Sequence, residues 1–105
     1  MKFICIVIPT KKILPNAKYI KEFDVYLTDP NQYGIRWKRY GKDSTYPKLI
    51  QEVAHVVYEV DNLEKAVEDK EILVNPNVPN HRDDLKFAVI AVDGAPVEFV
   101  QFINK

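Results

Sequence analysis

The chain has 105 residues, 47% of them hydrophobic and 29% charged, with fifteen basic side chains against fifteen acidic. That length suits one domain with a real core, and the even charge leaves no global field that would draw nucleic acid or an anionic membrane. The one cysteine, Cys5, excludes an internal disulfide framework, no apolar run nears the ~20 residues that span a bilayer, and residues 3–9 are too short for a signal peptide, so the expected location is cytoplasmic.

Residues 3–8 form an unbroken β-branched apolar run stopped by Pro9, the pattern of a central strand covered on both faces. Residues 10–18 carry Pro15, Asn16 and three lysines and read as a loop, while residues 19–23 fit either a helical turn or a short strand. Residues 24–28 read as a strand, Asp29-Pro30-Asn31-Gln32 as a turn, and residues 34–40 as the second arm of a hairpin. Alternation on that second arm sets Ile35, Trp37 and Arg39 on one face and Arg36, Lys38 and Tyr40 on the other. Residues 35–42 form the one basic cluster with interleaved aromatics. They read as an amphipathic strand with solvated charges rather than as a phosphate or RNA site.

Pro47 opens a short helical stretch at residues 48–52, where proline in the first turn is tolerated. Residues 55–60 alternate as a strand, and Asp61 or Asn62 can cap an amphipathic helix over residues 63–69. A short strand at residues 71–74 leads into a polar loop over residues 75–84, followed by an apolar strand at residues 85–92. Asp93-Gly94 is a strong hairpin signal, and residues 97–103 close the sheet.

The two halves can be laid over each other. Gly34-Ile35-Arg36-Trp37 falls on Pro96-Val97-Glu98-Phe99, and Cys5-Ile6-Val7-Ile8 on His55-Val56-Val57-Tyr58. His55 and Glu98 thereby become the residues to watch, since an unpaired polar group in a buried sheet costs ~1–3 kcal/mol.

The segment His55-Val-Val-Tyr-Glu-Val-Asp-Asn-Leu63, followed by Ala66-Val67 and closed by Asp93-Gly-Ala-Pro-Val-Glu98-Phe-Val, resembles the second module of the vicinal oxygen chelate superfamily. That group includes glyoxalases, bleomycin- and fosfomycin-resistance proteins, epimerases and extradiol dioxygenases. The resemblance covers residues 54–103 and extends as a pattern over residues 2–41. It implies an α+β fold of paired βαβββ modules, about 1–53 and 54–105, with a curved, mainly antiparallel sheet around a cleft. The helix of the first module would be shortened or replaced by loop. It also implies a homodimer, cleft residues that act on a small oxygen-rich substrate, and a divalent metal held by a histidine and a glutamate from each module.

Carried over, His55 and Glu98 are the second-module metal ligands and acid/base residues. The first-module positions fall on Cys5 (or Phe3 under a two-residue shift) and on Arg36. Phenylalanine cannot ligate, a buried cysteine stays a neutral thiol, and arginine repels a cation. A divalent metal would therefore be weakly bound or absent. Alternation adds Glu59 to the face of His55, and Arg36, Glu59, Trp37 and Cys5 are the expected substrate-binding set. His81, in a polar loop, is expected to face solvent. Two functions follow: a glyoxalase-like lyase or isomerase centred on His55 and Glu98, or a metal-free protein that binds a small anion through Arg36.

Overall fold

Strand-type alternation dominates the chain, and its regular structure is mostly sheet. The computed structural model describes residues 1–103. Its strands are Lys2–Pro9 (β1), Lys18–Ile20 (β2), Val25–Leu27 (β3), Ile35–Tyr40 (β4), His55–Glu59 (β5), Glu71–Asn77 (β6), Leu85–Val92 (β7) and Ala95–Phe102 (β8), with two helices, Lys48–Glu52 (α1) and Leu63–Ala66 (α2). All eight strands join one open sheet in the order β2-β3-β4-β1-β5-β8-β7-β6. The sheet is mixed: β1 runs parallel to β4 and β5 parallel to β8, while the remaining neighbours are antiparallel.

The balance differs from an α+β fold, because helix is confined to segments of five and four residues. The helix expected over residues 63–69 stops at Ala66. Its C-cap Val67 still donates to Leu63 O, but Asp69 takes a left-handed φ of 61° and turns the chain into β6. The ambiguity at residues 19–23 resolves into the end of β2 and a turn. β6 runs past its expected end to Asn77, with irregular register at residues 72–77, and carries Pro76 as only an edge strand can. At the β7–β8 hairpin, Asp93 (φ 50°) and Gly94 (φ 83°) supply the two positive φ values that a type I′ turn requires.

Alternation assigns each strand a core face and an outer face. On the core face Cys5 and Val7 of β1, Val57 of β5, Val100 of β8 and Leu85, Phe87 and Val89 of β7 pack together with Ile50 of α1. On the outer face of β5, β7 and β8, α2 lays Leu63 and Val67 over Ala88, Ile90 and Phe99. Two hydrogen bonds hold that helix in place: Asn62 Oδ1 accepts from Lys65 N–H at 3.1 Å, and Gln101 Oε1 on β8 accepts from Leu63 N–H at 2.7 Å. Burying Leu63 completely contributes about 2 kcal/mol. The outer face of β1 and β4 has no such cover. Ile6, Ile8 and Ile35 are half-buried there, and Trp37 is 40% exposed. No helix among the described residues is long and apolar enough to cross a membrane.

Candidate functional site

β4 turns Arg36 and Lys38 to the core side, where a strand of purely apolar residues would have closed the core. A cavity of about 170 Å³ opens there instead. Cys5 and Val57 form its floor, Phe23, Tyr46 and Phe87 form an aromatic wall, and Arg36, Lys38 and Glu98 supply its charges. The volume is below the ~300 Å³ at which drug-sized ligands begin to fit, so the space suits a small molecule.

Lys38 is the unusual member. It is 9% exposed, and its Nζ lies 4.4 Å from the Tyr46 ring centroid and 5.1 Å from that of Tyr40. Among the described residues it forms no ion pair with a carboxylate. Burial pulls its ammonium down to about 8, with the Arg36 charge lowering it further and Glu98 raising it in part. Tyr46 reaches this place because the loop after β4 folds back. Gly41 N–H donates to Asp24 O at 2.7 Å, Ser44 N–H to Gly41 O at 3.1 Å, and Gln51 Nε2 to Tyr46 O at 2.8 Å. Tyr40 stands edge-on to Tyr46 with centroids 5.7 Å apart, and its buried hydroxyl has no hydrogen-bond partner among the described residues. Burial drives both phenols well above the ordinary tyrosine range.

Glu98 faces the cavity from β8 and is anchored from behind. His55 Nε2 lies 3.0 Å from Glu98 Oε1, with the imidazole 1% exposed and the carboxylate 21% exposed. His55 Nδ1 is buried with no partner among the described residues. A proton on Nδ1 would find no acceptor, so the arrangement is the Nε2–H tautomer donating to a carboxylate. Burial alone would raise the Glu98 carboxyl. The hydrogen bond from His55, with Lys38 and Arg36 nearby, outweighs it and holds the group below its usual value.

The other expected site residues distribute as follows. Arg36 lines the cavity but is tied outward, its Nε donating to Thr28 O at 2.7 Å. Cys5 lines it too, and burial pushes its thiol up while Arg36 draws it back in part. Cys5 forms no hydrogen bond to His55 among the described residues, since the antiparallel register sets Val7, not Cys5, opposite His55. His55 itself stands behind Glu98 rather than on the cavity wall. Glu59 lies at the far end of β5, beside Lys2 and Val100, and does not reach the lining. Trp37 is on the opposite face of β4 from Arg36 and Lys38, as alternation requires. His81 is exposed, as expected, and lies at the cavity rim, edge-on to Phe23 at 6.1 Å and 3.6 Å from Glu22 Oε1. Beside it Arg82 is paired with Asp84 at 2.6 Å.

These residues do not fit a divalent metal. The Nε2 that would ligate carries the proton given to Glu98, the thiol at Cys5 is held protonated, and Arg36 and Lys38 bring positive charge to the same space. No group of three or more His, Cys, Asp and Glu side chains among the described residues could hold a metal ion. Compared with known protein families, curated proteins and solved structures, the chain matches none of them.

Proposed function

We propose that this chain is a small-molecule binding protein that takes a small carboxylate or similar anion in the cavity, without a metal. The observation that carries the reading is the charge arrangement. Arg36 and Lys38 project from one strand into one cavity, and the carboxylate that shares it, Glu98, is engaged by His55 instead of by either cation. An anion entering there would meet Lys38, which has no carboxylate partner among the described residues, and Arg36, whose ion pair is a loose contact of 3.9 Å with the exposed Asp29, in surroundings where charge-assisted bonds are strong.

The architecture behind this reading is the paired-module fold of the vicinal oxygen chelate superfamily, with the first module's helix replaced by the loop between β1 and β2. Two features support it. Each half of the sheet pairs its first strand with its fourth in parallel, then the fourth with the third and the third with the second in antiparallel sense. Between β5 and β6 lies a helix, as a βαβββ unit would have. A homodimer belongs to the same reading, and light scattering at increasing concentration tests it.

Calorimetry with a panel of small carboxylates and inorganic phosphate tests the function. At least one should saturate at a single site, weaken with added salt, and lose roughly 10–100-fold in affinity in Arg36→Gln, as expected for losing a charged partner. No saturation by any member of the panel, or binding indifferent to Arg36→Gln, sinks the proposal.

A further inference from the structure

We propose that Lys38 is a nucleophile, forming a Schiff base with the carbonyl carbon of a small 2-oxo carboxylate held in the cavity. This rests on the anion-binding reading above and adds a covalent step to it. Three observations carry the step.

The amine is buried, cushioned by the Tyr40 and Tyr46 rings, and free of any carboxylate partner among the described residues. Lysines become nucleophiles when an apolar pocket or a neighbouring cation disfavours their charged form, and Lys38 has both, with Arg36 two positions away on the same face of β4. Residues two apart on a strand are separated by ~7 Å, so two long side chains from these positions can meet adjacent groups of one small ligand: the guanidinium its carboxylate, the amine its carbonyl. Glu98 is the third element. It is ionised, fixed by His55 and open to the same cavity, and so is placed to move protons.

The step balances without any oxidant or reductant. The neutral amine adds to the carbonyl carbon and a C–N bond forms as the C=O π pair moves onto oxygen. Glu98 relays both amine protons to that oxygen, the first giving a carbinolamine and the second converting its hydroxyl into the leaving water. The oxygen leaves as water, and the product is an imine between Nζ and the former carbonyl carbon. The ammonium's fall to about 8 helps. At pH 8 about half the amine is free, against well under ~1% for an ordinary lysine.

The test uses the full chain with pyruvate as probe. The protein is incubated with pyruvate at pH 8, reduced with cyanoborohydride, and read by intact mass and peptide mapping, with calorimetry of pyruvate binding run alongside. We expect one adduct per chain, on Lys38, forming about tenfold or more faster than on surface lysines such as Lys11 or Lys42. Lys38→Arg should lose the adduct while still binding pyruvate, since it keeps the charge but cannot form the imine. Adducts scattered over surface lysines with Lys38 unmodified, or an adduct that survives in Lys38→Arg, would overturn the Schiff base. If pyruvate still binds in that case, the anion-binding reading stands without it. Loss of both the adduct and pyruvate binding, with other carboxylates also silent, removes both proposals.

Discussion

Arg36 and Glu98 occupy the same register in two like pairs of strands: Arg36 lies opposite Val7 across the parallel pair β1–β4, and Glu98 lies opposite Val57 across the parallel pair β5–β8. One residue back, Ile6 pairs with Ile35 and Val56 with Val97. β1 and β5 are themselves antiparallel neighbours, with Ile6 opposite Val56. A guanidinium and a carboxylate therefore enter one cavity from corresponding places on either side of the sheet's middle. The carboxylate finds its partner in His55 at the start of β5, whereas the position corresponding to His55 is Cys5, which offers Arg36 none. Arg36 turns instead to Thr28 O at 2.7 Å and, more loosely, to the exposed Asp29 Oδ1 at 3.9 Å.

The His55–Glu98 pair should be energetically coupled. His55→Ala removes the donor behind a partly buried carboxylate and opens a void where a 3%-exposed side chain stood, so it should cost about 2–3 kcal/mol. Glu98→Gln keeps an acceptor for Nε2–H and should cost about 1 kcal/mol. Urea denaturation of both single variants and the double variant checks this. Strictly additive losses would mean that the 3.0 Å contact is not a working interaction.

Acid should erase the Glu98 contribution. Its carboxyl is held below the usual value in the fold, chiefly against burial, by the hydrogen bond from His55. A depressed folded value means that the stabilisation is present above the unfolded carboxyl range and is lost as pH falls through the folded value. The stability gap between wild type and Glu98→Gln should thus be full at neutral pH and shrink below pH ~4. A gap that stays constant from neutral pH down to acid unfolding contradicts the assignment.

Much of this arrangement is legible in the sequence, for local reasons. Period-two alternation places Arg36 and Lys38 on one face of β4, and Asp93-Gly94 announces its turn, because both signals arise within a few residues. The overlay of residues 5–8 on 55–58 and 34–37 on 96–99 corresponds to the strand register itself. Lys38 escapes notice for the opposite reason. Its burial depends on Tyr46, which arrives from a loop held by Asp24 and Gln51, and no strand pattern contains that loop. The usable signal was a lysine in register with an arginine among aromatics, which reads as a solvated face when taken locally.

Gly41 should tolerate substitution worse than Gly94. A Cβ at Gly41 would collide with the carboxylate of Asp24, which accepts from Asp43 N–H at 2.9 Å and Tyr19 Oη–H at 2.8 Å. Gly41→Ala must push that carboxylate off both partners and loosen the loop that carries Tyr46, at a cost of about 2–3 kcal/mol. At Gly94 the space is open, and only the φ of 83° opposes a side chain, so Gly94→Ala should cost about 1 kcal/mol. Thermal melts of the two variants rank them, and the reverse order would contradict this account of the β4 loop.

Metals should leave the protein indifferent. With the Nε2 of His55 committed to Glu98 and cations alongside, neither excess EDTA nor equimolar Zn²⁺, Mn²⁺ or Ni²⁺ should move the melting temperature by more than about 1 °C, since a ligand stabilises only by binding the folded state. A saturable rise with any of these ions that disappears in His55→Ala would restore the metal reading of His55 and Glu98.

Lys38 should make the protein more stable in mild alkali. Its ammonium titrates at about 8 in the fold against 10.5 when exposed, so the folded chain gives up the proton first. Between those values the unfolded chain holds more protons, and stability rises with pH, by up to about 3 kcal/mol over the whole window. The groups facing Lys38 shape the curve without reversing its cause. Arg36 on its own strand stays cationic, Glu98 on β8 stays ionised, and the Cys5 thiol on β1 is raised by burial, so that stability begins to fall once unfolded thiols ionise near 9. Tyr40 and Tyr46, both raised, oppose the rise above ~10, where unfolded phenols ionise and folded ones do not. Comparing wild type with Lys38→Met cancels these shared contributions. The methionine variant should be the more stable at pH 7, and its advantage should dwindle to nothing by pH ~10 as the native amine loses its charge. An advantage that does not change between pH 7 and pH 10 would show that the lysine is not held against its charge at all.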